Sequence, residues 1–192
     1  MMQYDSFSKP RFWEIDFMRG LAIVAMIIFH FVFDLTYFGF VPPKIIDSSG
    51  WLIFQKIIAG SFICISGLSF DLSHYKGVTW VQIKNRTIIL GASAALVSIV
   101  TYQFFGKFWV KFGILHCILA CSLLSIFVPR LSAMRFLSVL ASLIFLYLYV
   151  FPLIHIPAKV DFIVRSTYPH LSVDYQPIFP MILIFYFGML LS

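Results

Sequence analysis

Six stretches of apolar residues, separated by short segments that hold most of the charges and prolines, dominate this chain. A helix needs about 20 such residues to cross a bilayer whose hydrocarbon core is about 30 Å thick. The first stretch is followed by Pro42 and Pro43, and the fourth by Pro129, which are residues that stop helices. The pattern predicts spans over residues 20–38, 51–72, 87–105, 112–128, 135–151 and 178–192.

The sixth stretch is the shortest. At about 1.5 Å per residue its helix covers only about 21 Å of the hydrocarbon core. We therefore predict five full spans and a truncated sixth. We also expect the functional protein to need more helices, supplied by a C-terminal part that is missing here or by a homo-oligomer.

Composition assigns the chain to the membrane. Of its 192 residues, 61% are hydrophobic and 11% are charged, and the mean hydropathy is +0.95. A soluble domain is about 45–50% apolar and about 25% charged. The fold class predicted is therefore all-α, a polytopic transmembrane helix bundle that forms a single membrane domain over residues 1–192. Its three cysteines lie inside apolar stretches, so they are predicted to pack rather than to form disulfides.

Charge sets the expected orientation. The net charge of +6 is explained by basic loops that face anionic lipid, not by a nucleic acid partner. The tighter clusters of basic residues fall on the side of the N-terminus, including the loop predicted over residues 73–86. The N-terminus is therefore predicted to be cytoplasmic.

The second predicted span carries small residues at helical spacing, namely Gly60, Cys64 and Gly67. Small side chains let the backbone of a neighbouring helix come close. We therefore predict a tight helix contact along this face.

The first span contains two ionisable residues, His30 and Asp34, although a charge at mid-helix costs about 2.5–3.5 kcal/mol on insertion scales. They are four residues apart, so on a helix they share one face and can hydrogen-bond. One interpretation is a histidine base oriented by a carboxylate. The other is a polar pair that holds helices together.

Two more polar residues are expected on the outer side of the bundle. His116, at the start of the fourth span, is either an acid or base near a substrate or an interfacial histidine in contact with water. Asp174, which precedes the sixth span, either binds an acceptor or caps the next helix beside Pro177. We expect His30, Asp34, His116 and Asp174 to converge in the outer half of the bundle. Adjacent His116 and Cys117 point in different directions on a helix, so no metal site is predicted.

Four segments together resemble one family. They are a D-x-x-R-G-L-A motif at residues 16–22, S-F-I-C-I-S-G-L-S at 61–69, G-I-L-H at 113–116, and D-Y-Q-P-I-F-P at 174–180. In this order the chain resembles the bacterial relatives of heparan-α-glucosaminide N-acetyltransferase, which are multi-pass membrane proteins of the transmembrane acyltransferase superfamily.

The resemblance implies an acetyl-CoA-dependent transferase of the bacterial inner membrane. Such an enzyme moves an acetyl or acyl group from cytoplasmic acyl-CoA to an amino sugar or glycan at the outer face. The resemblance implies that His30 or His116 acts as base with Asp34 as its partner, and that Asp174 and Tyr175 lie on the acceptor side. Basic residues would hold the CoA phosphates, namely Arg19, Lys84, Arg86 and Arg130.

Other interpretations stay open at this stage. Asp16 and Arg19 are three apart at a helix start, so they also fit a simple surface ion pair. The loop after the first span, where the lysosomal member of the family has its key histidine, contains none here, which leaves the base open. The chain could also be a small proton-coupled transporter or flippase in which His30 and Asp34 relay protons, or an inactive remnant of the family.

Overall fold

The computed structural model describes residues 13–74, 79–127, 137, 139–141, 143–144 and 174–192, and every regular element among them is helical. Residues 137, 139–141 and 143–144 are helical and fall inside the predicted fifth span. The other helices, in chain order, are α1 (Trp13–Tyr37), α2 (Ser49–Ser73), α3 (Trp80–Phe105), α4 (Ile114–Ser125) and α5 (Ile178–Leu190), with 3₁₀ turns at Pro43–Ile45 and Gly106–Phe108.

Helices α1, α2 and α3 have 25, 25 and 26 residues, and each is long and apolar enough to cross a membrane. Their large apolar side chains are widely exposed; Phe17 and Phe31 on α1, for example, are 63% and 62% exposed. A water-soluble protein does not leave whole apolar helices uncovered, whereas lipid covers such faces. The described part of the chain therefore confirms an all-helical integral membrane protein.

Two helices start seven residues before their predicted spans. α1 begins at Trp13 rather than at residue 20, so Asp16 and Arg19 belong to its first two turns. α3 begins at Trp80 rather than at residue 87, because the Thr79 hydroxyl caps it by accepting a hydrogen bond from the Gln82 backbone N–H. Lys84 and Arg86 therefore lie on a helix and not in a loop.

The two later helices are short. α4 has 12 residues inside the predicted span 112–128, and α5 has 13 inside the predicted span 178–192. At about 1.5 Å per residue these helices are about 18 and 20 Å long, less than a bilayer core of about 30 Å. Near the start of α5 the backbone at Phe179 is extended, which interrupts the helix there.

The chain divides into two compact units, Met1–Ile58 and Ala59–Ser192, with the boundary inside α2. In the described part of the first unit, Phe29 of α1 packs on α2. Its ring stacks on that of Trp51 at 5.3 Å and lies 6.5 Å from that of Phe54. Such aromatic contacts add to the burial of apolar area.

The second unit has its own core, to which α2, α4 and α5 contribute. Cys117 and Cys121 of α4 and Phe185 of α5 have no exposed surface, which agrees with a packing role for these cysteines. Around them lie Ile63, Phe70, Ile118, Met181, Ile182, Tyr186 and Met189.

The small face of α2 contacts α5 so closely that a β-carbon does not fit. A β-carbon added at Gly67 would lie 2.0 Å from the Phe185 carbonyl oxygen. One added at Gly188 would lie 2.0 Å from the Cys64 carbonyl oxygen. The tight contact predicted from the spacing of Gly60, Cys64 and Gly67 therefore exists, and its partner is α5.

Candidate functional site

The α1 pair lies in the first unit. His30 and Asp34 are one helical turn apart, as predicted, and both side chains are exposed. Among the described residues no hydrogen bond or ion pair joins the two side chains, and the His30 ring meets the edge of the Phe29 ring at 5.7 Å. Because α1 begins at Trp13, His30 is about 26 Å from the start of a helix about 37 Å long. The role of this pair as base and orienting carboxylate stays a prediction.

The start of α4, in the second unit, is built by residues far apart in sequence. Its N-cap is Gly113, which has no side chain to offer the exposed N–H groups of the first turn. The Asp174 carboxylate supplies the acceptor instead: the Ile114 N–H donates a hydrogen bond to the Asp174 Oδ2, with a distance of 3.2 Å. The two residues are 60 positions apart in the sequence. Of the two predicted roles for Asp174, capping is therefore observed, but on α4 rather than on the helix that follows it.

Gly113 is the residue that makes this approach sterically feasible. A β-carbon there would lie 2.9 Å from the Asp174 Oδ2 and 2.7 Å from the Val110 Cγ1. The two segments are also joined along the backbone, because the Gln176 N–H donates to the Phe112 carbonyl oxygen at 3.1 Å. The G-I-L-H and D-Y-Q-P motifs therefore lie in direct contact.

His116 lies one turn into α4, and both of its ring nitrogens have partners. The Gly113 N–H donates to Nδ1 at 3.3 Å, and the Ser98 hydroxyl of α3 lies 3.4 Å from Nε2. The Phe112 ring lies 5.8 Å from the imidazole. The ring is half-buried, so its orientation is set while part of it stays accessible.

The segment before α4 is fixed to α3 through two hydroxyl groups. Ser98 donates to the Val110 carbonyl oxygen at 2.8 Å, and the Val110 N–H donates to the Thr101 Oγ1 at 3.1 Å. Both backbone groups of Val110 are thereby satisfied by residues one turn apart on α3. Ser98 thus holds the segment that leads to His116 and also faces the ring itself.

The sequence does not identify Ser98 and Thr101 as site residues. It predicts only that Ser98 is a small residue on the packing face of α3. Serine and threonine occur in membrane helices mostly as groups that bond to their own backbone. The available signal is their i, i+3 spacing, which places two hydroxyls on one face. Nothing in the sequence connects that face to the start of α4.

The predicted CoA-binding residues differ in their surroundings. Arg86 is half-buried and donates to the hydroxyls of Ser66 on α2, at 2.7 Å, and of Ser122 on α4, at 3.2 Å. Its guanidinium also lies 5.4 Å from the centre of the Phe70 ring. These contacts make Arg86 a connection between α2, α3 and α4.

The other basic candidates lie near the ends of helices. Lys84 is exposed in the second turn of α3. Arg19 is exposed and forms an ion pair with Asp16 at 2.9 Å, the surface pair that was the alternative interpretation. Arg130 lies outside the described residues. Tyr175 is described and half-buried next to Asp174.

A second group of buried polar residues lies where α2 ends. Asp71 is 6% exposed and its carboxylate accepts a hydrogen bond from the Ser192 hydroxyl. His74 is 2% exposed, with Nδ1 2.6 Å from the Phe70 carbonyl oxygen and, among the described residues, no hydrogen-bond partner at Nε2. In the described parts of the chain no three His, Cys, Asp or Glu side chains are grouped as a metal site requires.

Comparison with known proteins identifies a family. A family model described as heparan-alpha-glucosaminide N-acetyltransferase, catalytic, matches residues 11–192. No curated protein and no solved structure matches the chain. The matched region contains all the candidate residues named above.

Proposed function

We propose, on the premise that the chain belongs to the heparan-α-glucosaminide N-acetyltransferase catalytic family, that it transfers an acetyl group from acetyl-CoA to an amine of a sugar or glycan. The family gives membrane acetyltransferase activity as the class of function. The donor, the acceptor and the side of the membrane on which each binds are our proposals. We place acetyl-CoA on the cytoplasmic side and the acceptor on the outer side.

The observation that carries this proposal is the arrangement at the start of α4. His116 is half-buried, has partners at both ring nitrogens and lies near a helix start that the Asp174 carboxylate caps. A histidine that assists acyl transfer needs its ring held in one orientation.

The reaction needs few groups from the protein. The acceptor nitrogen attacks the thioester carbonyl carbon, the carbonyl oxygen becomes an oxyanion, and the carbon–sulfur bond then breaks to release CoA. An acceptor that arrives as an ammonium ion first gives one proton to water. The neutral amine then loses one more proton, and the CoA sulfur gains one. A histidine can assist as a base for the nitrogen or as a hydrogen-bond donor to the oxyanion, and His30 and His116 are the candidates.

The remaining candidate residues are assigned by charge. Asp174 and Tyr175 are proposed on the acceptor side, where a carboxylate attracts an amine that arrives as an ammonium ion. Lys84 and Arg19 are both exposed, but Arg19 forms an ion pair with Asp16, so Lys84 suits the CoA phosphates best. Arg19 and Arg130 are retained as further candidates, whereas the contacts of Arg86 with α2 and α4 favour a structural role.

The test is transfer of labelled acetyl from acetyl-CoA by the purified protein in lipid. Two acceptors are compared, a glucosamine-terminated saccharide and the same saccharide with hydroxyl in place of the amine. We expect label in the amine acceptor alone, and a large loss of it for His116→Ala. Label in neither acceptor, together with proton-coupled uptake of a solute by the same preparation, would replace the proposal with a transporter.

A further inference from the structure

The hydrogen bonds of His116 define where its ring proton sits. Gly113 presents a backbone N–H to Nδ1 at 3.3 Å, and a backbone N–H can only donate. Nδ1 must therefore be the acceptor, and it carries no proton of its own. A neutral imidazole has one N–H, so the proton of this ring lies on Nε2.

The other side of the ring agrees with this assignment. Ser98 uses its own proton to donate to the Val110 carbonyl oxygen at 2.8 Å, so its oxygen is left to accept. The His116 Nε2–H points to that oxygen at 3.4 Å. This distance is at the long end for a hydrogen bond, so the Nε2–H can be exchanged to a better acceptor at little cost.

We infer that His116 serves the transfer as a hydrogen-bond donor from Nε2 to the thioester carbonyl oxygen, and not as the base. The inference rests on the proposed function. A base that acts through Nε2 needs a lone pair on that atom and a proton on Nδ1. A proton on Nδ1 would point at the Gly113 N–H, which is held in place by the start of α4.

The reaction balances with His116 unchanged. As the acceptor nitrogen attacks, negative charge moves onto the carbonyl oxygen, which accepts the Nε2–H hydrogen bond. The carbon–sulfur bond breaks when this charge returns to form the amide carbonyl. The proton lost by the acceptor nitrogen ends on the departing CoA sulfur, carried by water or by another base. The Nε2 proton stays on His116 throughout.

Glutamine separates the two roles because its amide can donate a hydrogen bond but cannot accept a proton. We expect His116→Gln to transfer acetyl within about tenfold of the wild-type rate. We expect His116→Ala to lose about 10²- to 10³-fold in kcat, the usual cost of removing one oxyanion donor. The wild type and His116→Gln should also share one pH profile. Equal loss in His116→Gln and His116→Ala, with an active wild type, would make His116 a base and overturn the inference alone.

A second measurement does not depend on activity. With histidine labelled by nitrogen-15 in the protein in lipid, the signals lost in His116→Gln belong to His116. We expect a protonated Nε2 and an unprotonated Nδ1. The reverse pattern would overturn the inference. A wild type that shows the expected pattern but transfers no acetyl to the amine acceptor would refute the proposed function and, with it, the role of His116 as donor to the thioester.

Discussion

Asp174 takes the place of a helix cap that the local sequence lacks. Gly113 begins α4 without a side chain, and the carboxylate that accepts the Ile114 N–H comes from 60 residues further on. The cap therefore joins the start of α4 to the segment that leads into α5. Loss of this contact would leave the two segments joined by the hydrogen bond from the Gln176 N–H to the Phe112 carbonyl oxygen.

Substitutions at Asp174 test whether the oxygen or the charge matters for stability. Asp174→Ala removes the acceptor and should lower the stability by about 1 kcal/mol, as for other helix caps. Asp174→Asn keeps an oxygen for the Ile114 N–H and should lose less than half of that. Asp47→Asn, at an exposed carboxylate two residues after the 3₁₀ turn Pro43–Ile45, is the matched control and should change nothing. Thermal unfolding in detergent measures all three. Equal losses for the two Asp174 variants would assign the effect to charge.

For single residues, the sequence indicates which side chains are candidates for a site, but it does not indicate which residues they contact. His116 and Asp174 are identifiable because ionisable groups are costly beside apolar stretches. That Asp174 caps α4, or that Ser98 faces His116, depends on the tertiary arrangement of segments that are distant in sequence. The helical spacing of His30 and Asp34 is confirmed, whereas their hydrogen bond is absent from the described structure.

Among the helices, the contact between α2 and α5 shows what the helical spacing of small residues can predict. Gly60, Cys64 and Gly67 predict a close approach along α2, and α5 makes it through Phe185 and Gly188. The partner is not predictable, because several apolar helices could use the same face. The reciprocal fit, in which each glycine faces a carbonyl of the other helix, appears only in the folded protein.

Alanine substitutions along this contact should differ sharply. Gly67→Ala and Gly188→Ala each put a β-carbon 2.0 Å from a backbone oxygen, so the helices must separate. We expect a loss of about 1–3 kcal/mol or failure to fold. Gly60→Ala is the matched control on α2, since its β-carbon would lie 3.6 Å from the Ile184 Cδ1, an ordinary contact. It should be neutral or slightly stabilising. A Gly67→Ala protein as stable as Gly60→Ala would contradict the close packing.

At the start of α3, the positions of charged residues predict the wrong helix boundary. The sequence places Lys84 and Arg86 in a loop, yet both lie on α3, which begins at the Thr79 cap. Arg86 finds acceptors on two neighbouring helices. A charge placed near the end of a membrane helix is tolerated when its hydrogen bonds are satisfied. The sequence does not reveal those acceptors, since Ser66 and Ser122 resemble any other small residues.

The two basic residues should respond differently to substitution. Arg86→Ala removes charged hydrogen bonds to Ser66 and Ser122, so we expect about 1.5–3 kcal/mol less stability. Lys84→Ala should leave thermal stability unchanged and raise the KM for acetyl-CoA. Unfolding curves and acetyl-CoA titrations of both variants measure this. If Arg86→Ala keeps its thermal stability and raises the KM instead, Arg86 is a CoA ligand.

For the whole molecule, composition predicts the class of protein, a helical membrane protein, but not the lengths of its later helices. An apolar content of 61% predicts a helical membrane protein, and the described structure agrees. The lengths of α4 and α5 depend on caps and backbone contacts that no hydropathy pattern encodes. The five-span topology, the cytoplasmic N-terminus and the common cavity for His30, Asp34, His116 and Asp174 stay predictions.

Orientation is testable at the two ends of α3. This helix of 26 residues is about 39 Å long, enough to put Lys84 and Lys107 on opposite sides of the membrane. Lys84→Cys and Lys107→Cys would be made in a chain whose own cysteines are replaced by alanine. In intact cells an impermeant thiol reagent should label the Lys107 variant only, and the Lys84 variant only after lysis. Labelling of both in intact cells would refute the N-in topology.

The central claim is transfer of acetyl from CoA on one side of a membrane to an amine on the other. Its most direct test uses sealed proteoliposomes with a glucosamine-terminated saccharide inside and labelled acetyl-CoA outside. The predicted result is N-acetylated saccharide inside the vesicles, strongly reduced with His116→Ala. Unlabelled saccharide in vesicles that contain folded, inserted wild-type protein in both orientations would contradict the account.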